Sequence, residues 1–201
     1  ILCYNGKMDK LNIKIILASI RENRFGDKPT EWIANMDKKI PGVSVEVLDL
    51  KDYKLSIFAE AVSPSYVKGE YSNPAVNNWA KKIAETDGFI IVTPEYNHGY
   101  PSSLKNNIDH IYKEWNRKPL ALVAYGSAGG ARAVEQLRQV AVELQMAPIR
   151  NAVHINEPWN LIEPNGTLKT GALDQYVNSA QNMLDQLIWW AKVLKTARVL
   201  N

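Results

Sequence analysis

The chain has 201 residues, 22.6 kDa, with 46% hydrophobic and 22% charged residues. That is the balance of a globular protein with a sizeable core, and it excludes fibrous and disordered classes. The net charge is only +3 and the basic residues are dispersed, so no nucleic-acid footprint stands out, although an anionic cofactor would be welcome. No apolar run is long enough to span a bilayer, so the expectation is a cytoplasmic protein that binds neither membrane nor nucleic acid. The one cysteine, Cys3, stands in the stretch Ile1–Lys7, which resembles neither a signal peptide nor a helix start. We expect that stretch to be vector sequence ahead of a native initiator at Met8. Without it the body has no cysteine, which excludes disulfides, Fe–S clusters and thiol catalysis.

Strand and helix patterns alternate along the chain. Asn12–Ser19 reads as the first strand. Trp32, Ile33, Met36 and Ile40 form the apolar stripe of the first helix, closed by Pro41-Gly42. Val43–Leu50 alternates like a half-covered edge strand. Lys51–Asn73 has no period and reads as a long excursion over the rim. A short helix over Asn77–Glu85 leads into the apolar strand Gly88–Thr93. Leu104, Ile108, Ile111 and Trp115 predict a helix over Ser103–Trp115. Pro119–Tyr125 is another buried strand, and Val134, Leu137, Val140, Ala141 and Leu144 mark the helix after it. Ile149–Ile155 is the last strand and Tyr176–Leu194 a closing helix. Five strands joined by helices imply a doubly wound α/β fold with a parallel sheet, since parallel strands need crossovers. No repeat, linker or low-complexity tract divides it, so residues 1–201 read as one domain.

Three segments carry the candidate chemistry, each after the carboxyl end of a strand, where open α/β sheets bind ligands. The first is Ser19-Ile20-Arg21-Glu22-Asn23-Arg24-Phe25-Gly26-Asp27. Its hydroxyl, its two guanidinium groups and a helix start suit a phosphate, against the plain alternative of a solvated loop capped by Asp27. Neither GxGxxG nor GxxxxGK[ST] is present. The second is Pro94-Glu95-Tyr96-Asn97-His98-Gly99-Tyr100-Pro101, stiffened by prolines, with Asn97 and Gly99 able to take positive φ. Its amides suit a flat polar ligand. Glu95 and His98 suggest acid–base or metal chemistry, but the three histidines, His98, His110 and His154, have no metal-ligand spacing. A solvent-facing Glu95 and a hydrogen-bonded His98 are expected. The third is Ala124-Tyr125-Gly126-Ser127-Ala128-Gly129-Gly130, whose small residues admit close approach to the backbone. Together the three form one crevice.

Pro94–Pro101, continuing as Leu104-Lys105-Asn106-Asn107-Ile108-Asp109, resembles the signature of the NADPH-dependent FMN reductases, which include azo-dye, quinone and chromate reductases. Ser19–Arg21 and Gly126–Gly130 stand in that family's other loop positions, and the resemblance runs from Ile13 to about Trp190. It implies a flavodoxin-like five-stranded sheet of order 2-1-3-4-5 with helices on both faces. It implies FMN, with the phosphate at Ser19, Arg21, Arg24, Phe25 and Gly26. Many members have Gly and Ser where this chain has Ala18 and Arg24, so the expectation is either that Arg24 replaces a hydroxyl or that the phosphate sits slightly differently. The isoalloxazine would lie on Pro94, Glu95, Tyr96, Asn97 and His98, with the N–H groups of Tyr96 and Asn97 at its pyrimidine edge. Gly126, Ser127 and Gly129 would border the ring. NADPH or NADH would deliver hydride to flavin N5 and leave, and a small acceptor (flavin, quinone, azo compound or metal oxyanion) would follow. This ping-pong scheme needs no catalytic side chain and no metal. The resemblance also implies a homodimer or homotetramer, with Tyr112 and Trp115 as interface anchors. The alternatives are a non-enzymatic flavodoxin-like electron carrier, which +3 argues against, and a flavin-free interaction module.

Overall fold

The computed structural model describes residues 10–200; the Ile1–Lys7 leader and Cys3 lie outside them. The strands are β1 (Leu11–Leu17), β2 (Val43–Asp49), β3 (Gly88–Pro94), β4 (Pro119–Gly126) and β5 (Ala147–Asn156), and the helices are α1 (Asp27–Asp37), α2 (Pro74–Ala84), α3 (Ser102–Asp109), α4 (Ala131–Glu143) and α5 (Val177–Leu200). All strand pairs are parallel, in the order β2-β1-β3-β4-β5. This is the expected flavodoxin-like order. Every residue of β3 is buried, whereas β2 is of mixed exposure, as befits a central and an edge strand.

The pleat sorts the core into two layers. Ile13, Ile15 and Leu17 of β1 pack with α1 and α5, while Ile16 and Ala18 pack with α2, α3 and α4. Successive side chains of a strand face opposite sides, so one strand serves both cores. The second layer is anchored by Trp79, Phe89 and Trp115. The Trp79 and Trp115 ring centroids are 6.0 Å apart and those of Phe89 and Trp115 5.1 Å apart. Truncating one such indole costs about 3–5 kcal/mol.

Three helices differ from the sequence expectation, α5 by continuing to Leu200 past the expected Leu194. α2 begins at Pro74 rather than Asn77, because Asn73 Oδ1 accepts from Ala75 N–H at 2.9 Å and Pro74 sits at the first helical position, where its missing N–H costs nothing. α3 ends at Asp109, not Trp115. A continuing helix would send Ile111 N–H to the Asn107 carbonyl, but the Trp79 indole N–H takes that carbonyl at 2.9 Å. Ile111 N–H turns to the Ile108 carbonyl instead, at 3.4 Å. The chain then curls so that Trp115 is 1% exposed, and the Tyr112 hydroxyl donates to the Glu143 carbonyl at 3.1 Å. Both aromatics therefore serve their own core, and their expected role as interface anchors is withdrawn.

The excursion after β2 contains one 3₁₀ turn, Pro64–Tyr66, and is fastened at both ends. Asn106 accepts from Phe58 N–H at 2.9 Å and donates to the Ser56 carbonyl at 2.9 Å, while His110 Nε2 bonds that carbonyl at 2.8 Å. Farther on, Lys113 donates to the Gly69 carbonyl at 3.0 Å and the Tyr71 hydroxyl to Glu114 at 2.8 Å.

Candidate functional site

β1 lies between β2 and β3, so the chain reverses direction across the sheet there and leaves a crevice above the carboxyl ends of β1 and β3. The loop after β1 opens it. Ser19 is fully buried, and its Oγ shares a 2.8 Å hydrogen bond with the Tyr96 hydroxyl from the loop after β3. Arg21 is exposed, its guanidinium 5.8 Å above the centre of the Tyr96 ring. The N–H groups of Phe25 and Gly26, at the start of α1, donate to nothing among the described residues. Gly26 is obligatory here, since a Cβ would lie 2.8 Å from both Leu17 and the Tyr125 hydroxyl.

Arg24 behaves differently from the expectation that it reaches a phosphate. It is 7% exposed. Its Nε donates to Asp27 at 2.9 Å, and its terminal nitrogens donate to the Ser19 carbonyl and to both carboxylate oxygens of Asp49. The Asp49 hydrogen bonds hold the guanidinium well above its ordinary pKa despite burial. Burial pushes the Asp49 carboxyl up, but the bonds from Arg24 and from Lys51 N–H outweigh it and hold that group below its usual range. Arg24 thus ties the first loop to the end of β2, and every N–H direction of its guanidinium is engaged within the chain.

The loop after β3 is a rigid two-residue turn. Tyr96 N–H donates to the Gly99 carbonyl at 2.8 Å and Gly99 N–H returns to the Tyr96 carbonyl at 3.0 Å. Asn97 and His98 have φ of 49° and 67°, the positive pair that a type I′ turn requires. Tyr96 N–H is therefore consumed by the turn and does not face a ligand, contrary to expectation. The N–H groups of Asn97 and His98 have no acceptor among the described residues. His98 is exposed and, among the described residues, hydrogen-bonds only through its carbonyl, which accepts from Gln136 at 2.9 Å. Its ring makes none of the hydrogen bonds expected of it.

Glu95 is likewise not solvent-facing. Its side chain is 5% exposed and accepts from Arg132 N–H at 3.0 Å and from the Arg132 guanidinium at 2.6 Å. It supplies the side-chain cap that Gly130, the N-cap residue of α4, lacks. Burial raises its pKa, and the Arg132 bonds lower it further than burial raises it. The same residue joins the second loop to the third.

In that third loop, Gly129 and Gly130 have φ of 60° and 71°. A Cβ on Gly130 would stand 2.6 Å from Ala124 Cβ, and one on Gly129 2.9 Å from His154 Cβ, so glycine is required at both. His154 Nδ1 bonds the Gly129 carbonyl at 3.0 Å. Ser127 is exposed. Gly126 accepts from Gly129 N–H at 3.2 Å and from Glu157 N–H at 2.9 Å. This last bond adds a fourth loop that sequence reasoning missed. There Trp159 is 58% exposed; a Pro-Trp pair directly after a strand was the available signal.

Tyr125 lies in the third motif, but the sequence assigned its hydroxyl no role. It reads as a core strand residue, and its ring does pack against Phe25 at 5.1 Å. Its hydroxyl, however, is buried without a hydrogen-bond partner among the described residues. Burial is the main cause that pushes this hydroxyl's pKa up, followed by the neighbouring Tyr96. Ser19 is close enough to ease it down, although the two hydroxyls lack hydrogen-bond geometry.

Ser19, Arg21, Phe25 and Gly26 are thus assembled beside Tyr96 and Tyr125, with the Asn97–His98 turn and the glycine loop alongside. An orphaned hydroxyl and unpaired N–H groups at a helix start fit a phosphate, and N–H groups on a rigid turn fit the polar edge of a flat ring. The residues present therefore fit FMN.

Residues 11–160 match the family described as NADPH-dependent FMN reductase. An NAD(P)H-dependent FMN reductase of Schizosaccharomyces pombe is 35% identical over 173 residues, covering 85% of this chain and 82% of the relative. A quinone reductase of Escherichia coli is 33% identical over 157 residues, covering 75% of this chain and 76% of the relative. Among solved structures, the flavoenzyme NAD(P)H:(acceptor) oxidoreductase FerB of Paracoccus denitrificans shares the fold. Its TM-score is 0.71 at 18% identity, over 90% of this chain and 97% of that one. With the sheet order, the crevice and a family match spanning the strands and loops that build it, the chain belongs to the NADPH-dependent FMN reductases.

Proposed function

We propose that this chain binds one FMN across the three loops and passes electrons from a reduced nicotinamide to a small-molecule acceptor, the two substrates using one open site by turns. As a member of its family it is an oxidoreductase that uses FMN with NADPH or NADH. When bound, FMN would supply the redox chemistry, and the residues of the three loops would hold and orient it. Ser19, Arg21 and the N–H groups of Phe25 and Gly26 hold the phosphate. Pro94, Glu95, Tyr96, Asn97 and His98 would form the ledge for the ring, with the N–H groups of Asn97 and His98 available to its polar edge. Those donors are fixed before binding, so they stabilise developing negative charge without reorganisation. Gly126, Ser127 and Gly129 border the ring, and Glu95, through Arg132, holds that border in place.

The observation that carries this reading is the convergence of unpaired donors, namely Phe25, Gly26, Asn97 and His98 N–H together with the Tyr125 hydroxyl, on one crevice. The acceptor is a quinone or a flavin, as the names of the relatives suggest, chosen by the rim segment 57–72 and Trp159. We place the chain in one domain, and we propose a dimer or tetramer joined through exposed apolar residues such as Ile57, Tyr66 and Trp189. Light scattering at the monomer mass would refute the oligomer.

The test is kinetic and spectroscopic. NADPH or NADH should bleach the yellow protein anaerobically, and initial rates at varied acceptor should give parallel lines. Intersecting lines would overturn the shared site. Failure of both nicotinamides to bleach would turn the chain into an electron carrier.

A further inference from the structure

We infer that the excursion after β2 helps to build a second binding site, separate from the flavin crevice, and that its ligand is a small organic ammonium ion with an aromatic body and one positively charged nitrogen. The inference goes beyond the flavin reading and does not depend on it.

Between the excursion and the body of the protein lies a cavity of about 360 Å³, a volume at the small end of the range for ligand sites. Val76 of α2 and His110, just past α3, line it from the scaffold and are buried, while Phe58, Val67 and Tyr71 line it from the excursion and are half-buried. A concave lining of aromatic and branched side chains rewards an apolar occupant through burial and dispersion.

The polar groups on the lining say what else the occupant carries. Glu60 and Glu70 both border the cavity. Ser72, which also borders it, spends its proton on Glu60, at 3.2 Å. His110 Nε2 bonds the Ser56 carbonyl at 2.8 Å. A carbonyl only accepts, so Nε2 holds the hydrogen, and in the neutral ring Nδ1 keeps its lone pair. Among the described residues no lysine or arginine lines the cavity. The site therefore offers acceptors and asks for a donor.

Its aromatic rings make the same demand. Phe58 and His110 stand at 87° to one another with centroids 5.3 Å apart, which makes a corner of two rings. One face of Tyr71 is already taken by the Lys113 ammonium, 5.9 Å from the ring centre and held by the Gly69 carbonyl at 3.0 Å. Ring faces beside carboxylates are the surroundings that recognise an ammonium ion. An anionic ligand would instead meet two carboxylates, and a neutral alcohol would draw no charge attraction from them.

The site is not an arm of the crevice. At the crevice end of α3, the Ser103 hydroxyl donates to the Ala18 carbonyl at 2.9 Å, next to Ser19. His110 lies seven residues farther along, about 10 Å at the rise of a helix. An occupant would bridge the excursion to α2 and α3, and so brace a segment whose side chains between residues 59 and 68 hydrogen-bond only within the excursion.

Titration calorimetry with phenethylamine, phenethyl alcohol and phenylacetate tests this, because the three share a body and differ in head group. The amine should bind about tenfold more tightly than the alcohol, the gain expected of a cation–π contact together with exposed ion pairs, and phenylacetate should bind most weakly. Val67→Trp fills the cavity and should abolish binding, with its melting temperature checking the fold. The surface pair Glu60→Gln and Glu70→Gln should bring amine and alcohol to within about twofold. Hydrogen exchange should slow at residues 58–72 when the amine is bound and stay unchanged in the Asn97–His98 turn. Equal affinity for amine and alcohol, full binding in folded Val67→Trp, competition by FMN, or no binding of the amine by the unaltered protein would each overturn the proposal. A flavin titration run alongside separates the two readings: binding of FMN without the amine removes this site alone, and binding of the amine without FMN supports this site and removes the flavin reading.

Discussion

The two ends of the sheet treat their polar groups in opposite ways. At the amino end, Asp87 accepts from Asn12 N–H at 3.0 Å, from Lys195 at 2.8 Å and from Arg198 at 2.8 Å. The nearby Lys118 ammonium donates to the Ala84 carbonyl at 2.9 Å and to that of Ile83 at 2.6 Å. At the carboxyl end the buried charged groups are paired, Arg24 with Asp49 and Glu95 with Arg132, but several N–H groups and a hydroxyl around the crevice have no partner among the described residues. Closure of the fold is secured at one end and ligand binding is prepared at the other, so damage to each should read out differently.

The largest effect should come from Asp87→Ala, which strands two cations and a strand amide. It should cost about 3–5 kcal/mol of stability while leaving FMN affinity within twofold, measured by denaturant melts and flavin titration. A comparable loss of flavin affinity in the folded variant would erase the contrast. Arg24→Ala should blur it, because it frees Asp49 and Asp27 and loosens the phosphate loop. We expect a loss of about 3 kcal/mol in stability with a secondary loss of FMN. Unchanged stability would mean that Arg24 is not the tie described. Arg21→Ala should sharpen the contrast, with FMN weaker by about 1.5–3 kcal/mol and stability within about 0.5 kcal/mol of the parent.

The smallest effect concerns pH. Burial raises the Asp37 carboxyl from 3.8 to about 7, and neither of its oxygens has a hydrogen-bond partner among the described residues. Between those values the unfolded chain releases this proton first, so stability falls as pH rises. Burial, helped by Arg198, lowers Lys118 from 10.5 to about 7. From there to 10.5 the unfolded chain holds more protons, so stability rises with pH. These two groups together predict a stability minimum near pH 7, with stability rising toward both acid and alkali. Asp37→Asn should flatten the acid arm and Lys118→Met the alkaline one. A curve without a minimum would show that water reaches both groups.

The strands and the three loops were legible because they are carried by local periodicity and by contiguous motifs, while the strand order came with the family resemblance. What was not legible depended on distant partners. The role of Arg24 turns on Asp49, 25 residues away, and the end of α3 turns on an indole 28 residues upstream of the carbonyl it takes. The Tyr96 N–H was misassigned because Asn97-His98 closes a turn usually written Asn-Gly, so the sequence hid a hairpin bond. Tyr125 was passed over because its ring satisfies the strand pattern, and only coordinates reveal that its hydroxyl does not.

The excursion after β2 has a further consequence. Its two ends are clasped by α3 and the turn beyond it, while among the described residues the side chains of residues 59–68 hydrogen-bond only within the excursion, Ser63 with Ser65 at 2.9 Å and Glu60 with Ser72 at 3.2 Å. That stretch is a replaceable cassette held between fixed jaws. Exchanging it, with Asn106, His110, Lys113 and Glu114 kept, offers a way to retool acceptor choice without disturbing the cofactor seat.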